Sequence, residues 1–238
     1  MVNASRSARE RVRAELIREI TDIARRQLAT EGAAGLSLRA VAREMGMVSS
    51  AIYRYFPSRD DLLTALIVDG YNAIGEAAEK AGNACAAGDY AGRWLAVCHA
   101  VRDWALAHPH EYALVYGSPV PGYQAPPQTI GPAARAAAVF GTIISHAQQA
   151  GQLRPPGVCP PPPESFAGDA DRLRESVLPH VPDDVIAVAL AVWASLFGMV
   201  SFELFGQFEN VVTDRRAFFS HAMTCQGRMV GLTPAGRA

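Results

Sequence analysis

A chain of 238 residues has room for one sizeable core, or for a small domain beside a medium one. Half of its residues are hydrophobic and only 8% are aromatic, and long alternating Val/Ile/Thr runs are missing, which excludes an all-β architecture and leaves an all-α one. The formal net charge of −1 hides a split: residues 1–59 hold eleven Arg against six acidic residues, so an anionic partner is expected for the N-terminal part alone.

Val12, Leu16, Ile20, Ile23, Ala24 and Leu28 recur on one helical face and predict a first helix over about residues 8–31, closed by Gly32. Ser37 is a candidate N-cap for a two-turn helix with Leu38, Val41, Ala42 and Met45 inward. Gly46 ends it where a left-handed backbone is easiest to place. A third short helix spans about 48–55 and cannot continue through Pro57. Ser58 caps a fourth, with Asp60 and Asp61 in its first turn and Leu62, Leu63, Leu66, Ile67 and Ile74 facing inward. It runs to about residue 80.

Further on, helices are expected over about 90–107, from Pro109 to Tyr116, and over 129–151. The proline-dense stretch "RPPGVCPPPPESFAGDA" reads as a stiff exposed connector. The last two helices are expected at 182–206 and 213–230. Within the first of them, "VIAVALAVWASLFGMVSF" carries no charge for eighteen positions, the lower limit for a membrane span. It is diluted by Ala, Ser and Gly, follows Asp183 and Asp184, meets Glu203 at once, and lacks a Lys/Arg flank, so a helix buried on every side is the preferred reading.

The four cysteines, Cys85, Cys98, Cys159 and Cys225, show no C-x-x-C or zinc-finger spacing, and the N-terminus lacks an apolar signal segment; a reducing cytoplasm and no membrane are the expectation. His108 and His110 lack further ligands at metal-binding spacing, so no metal is assigned. "GYNAIG" lies in a helical pattern without a strand before it, and no nucleophile elbow or phosphate loop is present. No catalytic residue and no cofactor is assigned.

A two-turn helix, a Gly-containing turn and a second short helix form the layout of a helix-turn-helix, whose second helix enters the DNA major groove. In "SSAIYRYF", Ile52 and Phe56 are four apart and pack inward on Val41 and Ala42, leaving Ser49, Ser50, Tyr53 and Arg54 outward. Tyr hydroxyls and guanidinium groups bind phosphate, and small Ser side chains permit close approach to base edges. On spacing alone, an αα-hairpin with tyrosines covering a neighbouring helix remains an alternative.

The stretch "LSLRAVAREMGMVSSAIYRYFPSRDDLL" resembles the N-terminal domain of the tetracycline-repressor (TetR) family, over roughly residues 10–70. The resemblance implies that Ser37, Arg39, Ser49, Ser50, Ala51, Tyr53, Arg54, Tyr55 and Arg59 face DNA. Val48 departs from the Ser or Thr common there, which suggests that the cap shifts to Ser49. Residues 90–230 resemble the C-terminal domain of one branch of that family, called WHG: in "WASLFGMVSFELFG" Trp193, Phe197 and Gly198 hold the spacing, with Phe in place of His. A more apolar ligand cavity follows from that exchange.

The resemblance implies pairing through the last two helices into a homodimer. Candidate ligand contacts are Trp94, His99, Trp104, Tyr112, Tyr116, Tyr123, Phe140, Trp193 and Phe197. The expected organisation is a helix-turn-helix domain at 1–57, a connecting helix at 58–86, and a ligand-binding and dimerisation domain at 87–238. The expected function is transcription regulation: a dimer on a double-stranded, palindromic DNA operator, released by a small apolar effector. The alternatives are a helical carrier or enzyme for such a molecule, and a membrane-anchored helical protein.

Overall fold

The computed structural model describes residues 2–233 and contains ten α-helices among them, with no strand. They are α1 (Val2–Gly35), α2 (Leu38–Glu44), α3 (Ser49–Ile52), α4 (Arg59–Ala84), α5 (Tyr90–Ala107), α6 (Pro109–Tyr116), α7 (Ile130–Gln149), α8 (Ala167–Ser176), α9 (Asp183–Leu204) and α10 (Arg215–Val230). Met1 and residues 234–238, at the outer limits of the expected domains, lie outside the described residues.

The chain forms two compact units, and they do not follow the expected boundaries. One comprises residues 1–70 together with 109–130; the other comprises 71–108 and 131–238. The expected connecting helix contributes Arg59–Gly70 to the first and Tyr71–Ala84 to the second.

In the first unit, Ile20, Ile23 and Ala24 of α1 pack with Leu38, Val41 and Ala42 of α2, Ile52 and Phe56, and Leu62, Leu63 and Leu66 of α4. Val12, expected on the inner face of α1, is instead 55% exposed, because this core ends before the helix does. Helical backbone breaks at Gly32, whose φ of 68° is left-handed. Gly46 takes φ 67°, which lets the Met47 amide turn back to donate to the Ala42 carbonyl at 2.8 Å. Arg25 pairs with Asp22 and with Asp69 of α4, and α6 packs on α1. Tyr123 joins its hydroxyl to that of Thr64 at 2.9 Å, so the 117–130 segment belongs to this core.

In the second unit, α5, α9 and α10 pack on one another and α8 packs on α9. The Pro-rich stretch is mostly exposed, as expected, but α8 follows it directly, an element the proline run obscured. Among the described residues one helix, α9, is long and apolar enough to cross a membrane, and 33% of its apolar window is buried within the chain.

Candidate DNA interface and ligand cavity

The recognition segment is set by its buried residue. Ile52 is fully enclosed and fixes the rotation of α3, which leaves Ser49, Ser50, Tyr53 and Arg54 exposed and Ala51 half-buried. Val48 is the N-cap, in extended conformation without a side-chain cap bond, so the cap does not shift to Ser49. The Ser49 hydroxyl is thereby left to the surface, and Val48 itself is 72% exposed, an apolar position at the tip. Arg39 on α2 and Arg54 are exposed, and neither guanidinium has an ion-pair partner among the described residues.

Three expected DNA-facing positions are differently placed. Ser37 is half-buried and caps α2, its oxygen accepting from the Ala40 amide at 3.4 Å while its own amide donates to Gln27 at 3.3 Å. Tyr55 is half-buried against the core, with the Arg13 guanidinium 5.3 Å from its ring centre. Arg59 donates to the Ala33 carbonyl at 2.6 Å and lies 3.6 Å from Asp60, so its guanidinium serves the α1 terminus.

In the second unit, α5, α7, α8 and α9 line a partly open cavity of about 230 Å³. Trp94, Phe140 and Trp193 line it, stacked edge to face at 5.1 Å and 5.6 Å between successive ring centres. Ile144, Leu173, Val177, Leu178 and Leu196 complete much of the wall. The indole N–H of Trp94 is already used, donating to the Met223 carbonyl at 2.9 Å. Gly141 lets α7 pass beneath the end of α8: any side chain there would collide with the Val177 carbonyl. The lining carries no charged group.

The other expected ligand contacts do not line this cavity. Phe197 stands behind it, its ring 4.6 Å from that of Trp193. His99 bonds through Nε2 to the Ser220 hydroxyl at 2.6 Å and meets the Phe219 ring; burial, then the Arg216 charge, lowers its pKa below the ordinary 6.5, with Asp103 opposing and Arg102 adding to the drop. Trp104 stacks on His108 one turn along its own helix. Tyr112, Tyr116 and Tyr123 all belong to the first unit, where Tyr112 is fully buried. Their aromatic character reflects core packing.

One polar feature left no trace in the sequence pattern. Arg102 of α5 grips Glu203 of α9 through Nε at 2.7 Å and through Nη2, both side chains nearly out of solvent, with the guanidinium 5.5 Å from the centre of the Phe219 ring. Asp103 beside it takes Arg216 of α10. Among the described residues, no group of three or more His, Cys, Asp or Glu side chains is placed to hold a metal.

Residues 20–66 match the bacterial regulatory proteins of the tetR family, and residues 94–225 match the tetracyclin repressor-like C-terminal domain. The HTH-type transcriptional regulators Rv1816 of Mycobacterium tuberculosis and Mb1846 of Mycobacterium bovis are each 40% identical over 220 residues, 92% of this chain and 92% of theirs. The crystal structure of the regulatory protein SCO4313 superposes with a TM-score of 0.74 at 35% identity, covering 91% of this chain and 97% of that one. A Rhodococcus sp. RHA1 protein of unknown function shares the fold, with a TM-score of 0.67 at 24% identity over 93% and 96% of the two chains. With an exposed Ser/Tyr/Arg segment fixed by a buried isoleucine, and with both halves of the chain matched, this protein belongs to the TetR family of helix-turn-helix, DNA-binding transcriptional regulators.

Proposed function

We propose that the protein is a cytoplasmic homodimeric repressor, which holds a palindromic operator until a small uncharged molecule enters the cavity between α7, α8 and α9. The observation that carries this reading is the wall of that cavity: three aromatic rings and aliphatic side chains with no charge among them, and the Trp94 N–H already bonded. A charged ligand would lose its hydration there without a partner, at a cost of several kcal/mol, whereas an apolar one gains about 25 cal/mol for each Å² removed from water.

DNA contact is assigned to Ser49, Ser50, Tyr53 and Arg54, with Arg39 on the flanking phosphates and Val48 against base methyl groups. Pairing is assigned to the outer faces of α9 and α10. Phe202 on α9 and Phe218 and Met229 on α10 are each 40–53% exposed, and Gly198 has open space where a side chain would stand. A second copy on that face would cover the apolar surface that one chain leaves open. Two recognition segments must reach successive major grooves about 34–36 Å apart, so an effector that favours another spacing releases the operator.

The deciding experiment selects bound sequences from random duplex DNA with the full-length protein. Paired half-sites about one helical turn apart are expected, and release of the selected duplex by a neutral aromatic compound; single unpaired half-sites would overturn the dimeric reading.

A further inference from the structure

The recognition segment is short, and its far end is held from outside the helix-turn-helix. α3 ends at Ile52, and the Arg54 carbonyl lies in the turn just beyond it. Both terminal nitrogens of Arg13, on α1, lie 3.4 Å from that carbonyl oxygen. The same guanidinium covers the Tyr55 ring at 5.3 Å, and Tyr55 in turn packs on the core of its unit. One planar cation thus meets the last carbonyl of the DNA-reading turn and the aromatic ring that follows it. The pair of residues it fastens, Arg54 and Tyr55, directly follows Tyr53, which is exposed.

We infer that Arg13 is a positioning residue for DNA recognition: it fixes the C-terminal end of the recognition segment, and with it the direction of Tyr53, without itself binding phosphate. Lysine keeps the charge at the carbonyl but loses the flat face on Tyr55 and the two-pronged approach, so it restores the function only in part.

The test uses the full-length protein and a duplex carrying the half-site pair it selects from random DNA, with a scrambled duplex of equal length and composition as control. Arg13→Ala is expected to weaken binding to the selected duplex about tenfold, from the loss of one carbonyl–cation and one cation–ring contact. Binding to the scrambled duplex, the slope of affinity against salt and the melting temperature should stay as in the wild type, and Arg13→Lys should recover part of the loss. A salt slope shallower by about 0.9, with both duplexes weakened alike, would make Arg13 a phosphate contact and overturn the inference. Unchanged affinity in Arg13→Ala would overturn it too, and so would a loss matched by a lowered melting temperature.

Discussion

Arg102 and Glu203 form a two-pronged ion pair between α5 and α9, with side chains only 7% and 6% exposed. Removing Glu203 leaves the buried Arg102 only the half-exposed Asp103, 3.2 Å from its Nη1, as a partner. Glu203→Ala should therefore cost about 3–5 kcal/mol in urea unfolding, while a joint replacement of both residues by Met and Leu should cost far less, because no charge is then left unpaired. Equal losses in the single and joint variants would show that packing, and not charge, is what the pair supplies.

His99 sits beside that pair, its ring pressed toward the neutral form by burial and by Arg216. Its folded pKa lies below the unfolded value of 6.5, so unfolding takes up a proton in the interval between them. The stability this group contributes is complete above pH 6.5 and is lost as pH falls through the folded pKa. The urea midpoint should decline across that interval, and His99→Gln should flatten the decline while keeping a partner for Ser220.

Arg54 is exposed and has no ion-pair partner among the described residues, which suits a phosphate contact. Arg54→Ala should weaken binding to all duplexes and reduce the salt slope by about 0.9. Tyr53→Phe removes only a hydroxyl from a side chain that is 42% exposed, so it should weaken binding with the fold intact, as read by fluorescence anisotropy and circular dichroism.

The cavity of about 230 Å³ exceeds an engineered cavity of about 150 Å³ that holds benzene, so naphthalene is a fitting probe. It should raise the melting temperature of the wild type, and 2-naphthoate, its charged analogue, should raise it much less. Ala137→Phe, which fills the cavity from α7, should abolish the naphthalene response while leaving operator affinity nearly unchanged. A response that survives Ala137→Phe would place the molecule elsewhere.

Phe202, Phe218 and Met229 are exposed on α9 and α10. Phe202→Asp should shift the protein toward single chains in sedimentation velocity, and should lower operator affinity by more than any one contact at the DNA.

Local patterns made the N-terminal half of this molecule readable. Ser37 before an apolar repeat and Gly46 after it each limit the backbone by their own chemistry, and the structure has α2 and the left-handed Gly46 where those residues put them, whereas α3, expected to run to about residue 55 before Pro57, ends at Ile52 and gives way to a turn. α5 and α6 fall at the expected residues for the same reason. α8 was missed because its apolar face is slight and prolines precede it. Among the ligand candidates, Trp94, Phe140 and Trp193 line the cavity but Tyr112 and Tyr123 do not, since aromaticity marks burial and says nothing of which core a residue joins. The Arg102–Glu203 pair spans 101 positions, a separation at which one sequence carries no signal of contact.

The bond from Tyr123 to Thr64 has a practical consequence for anyone wishing to isolate the DNA-reading half. A gene fragment stopped after α4 would discard Tyr112, Leu114 and Tyr123, which belong to the first unit although they are encoded later than α5. Such a fragment would expose raw apolar surface and aggregate. A soluble miniature would need residues 109–130 grafted back through an artificial bridge.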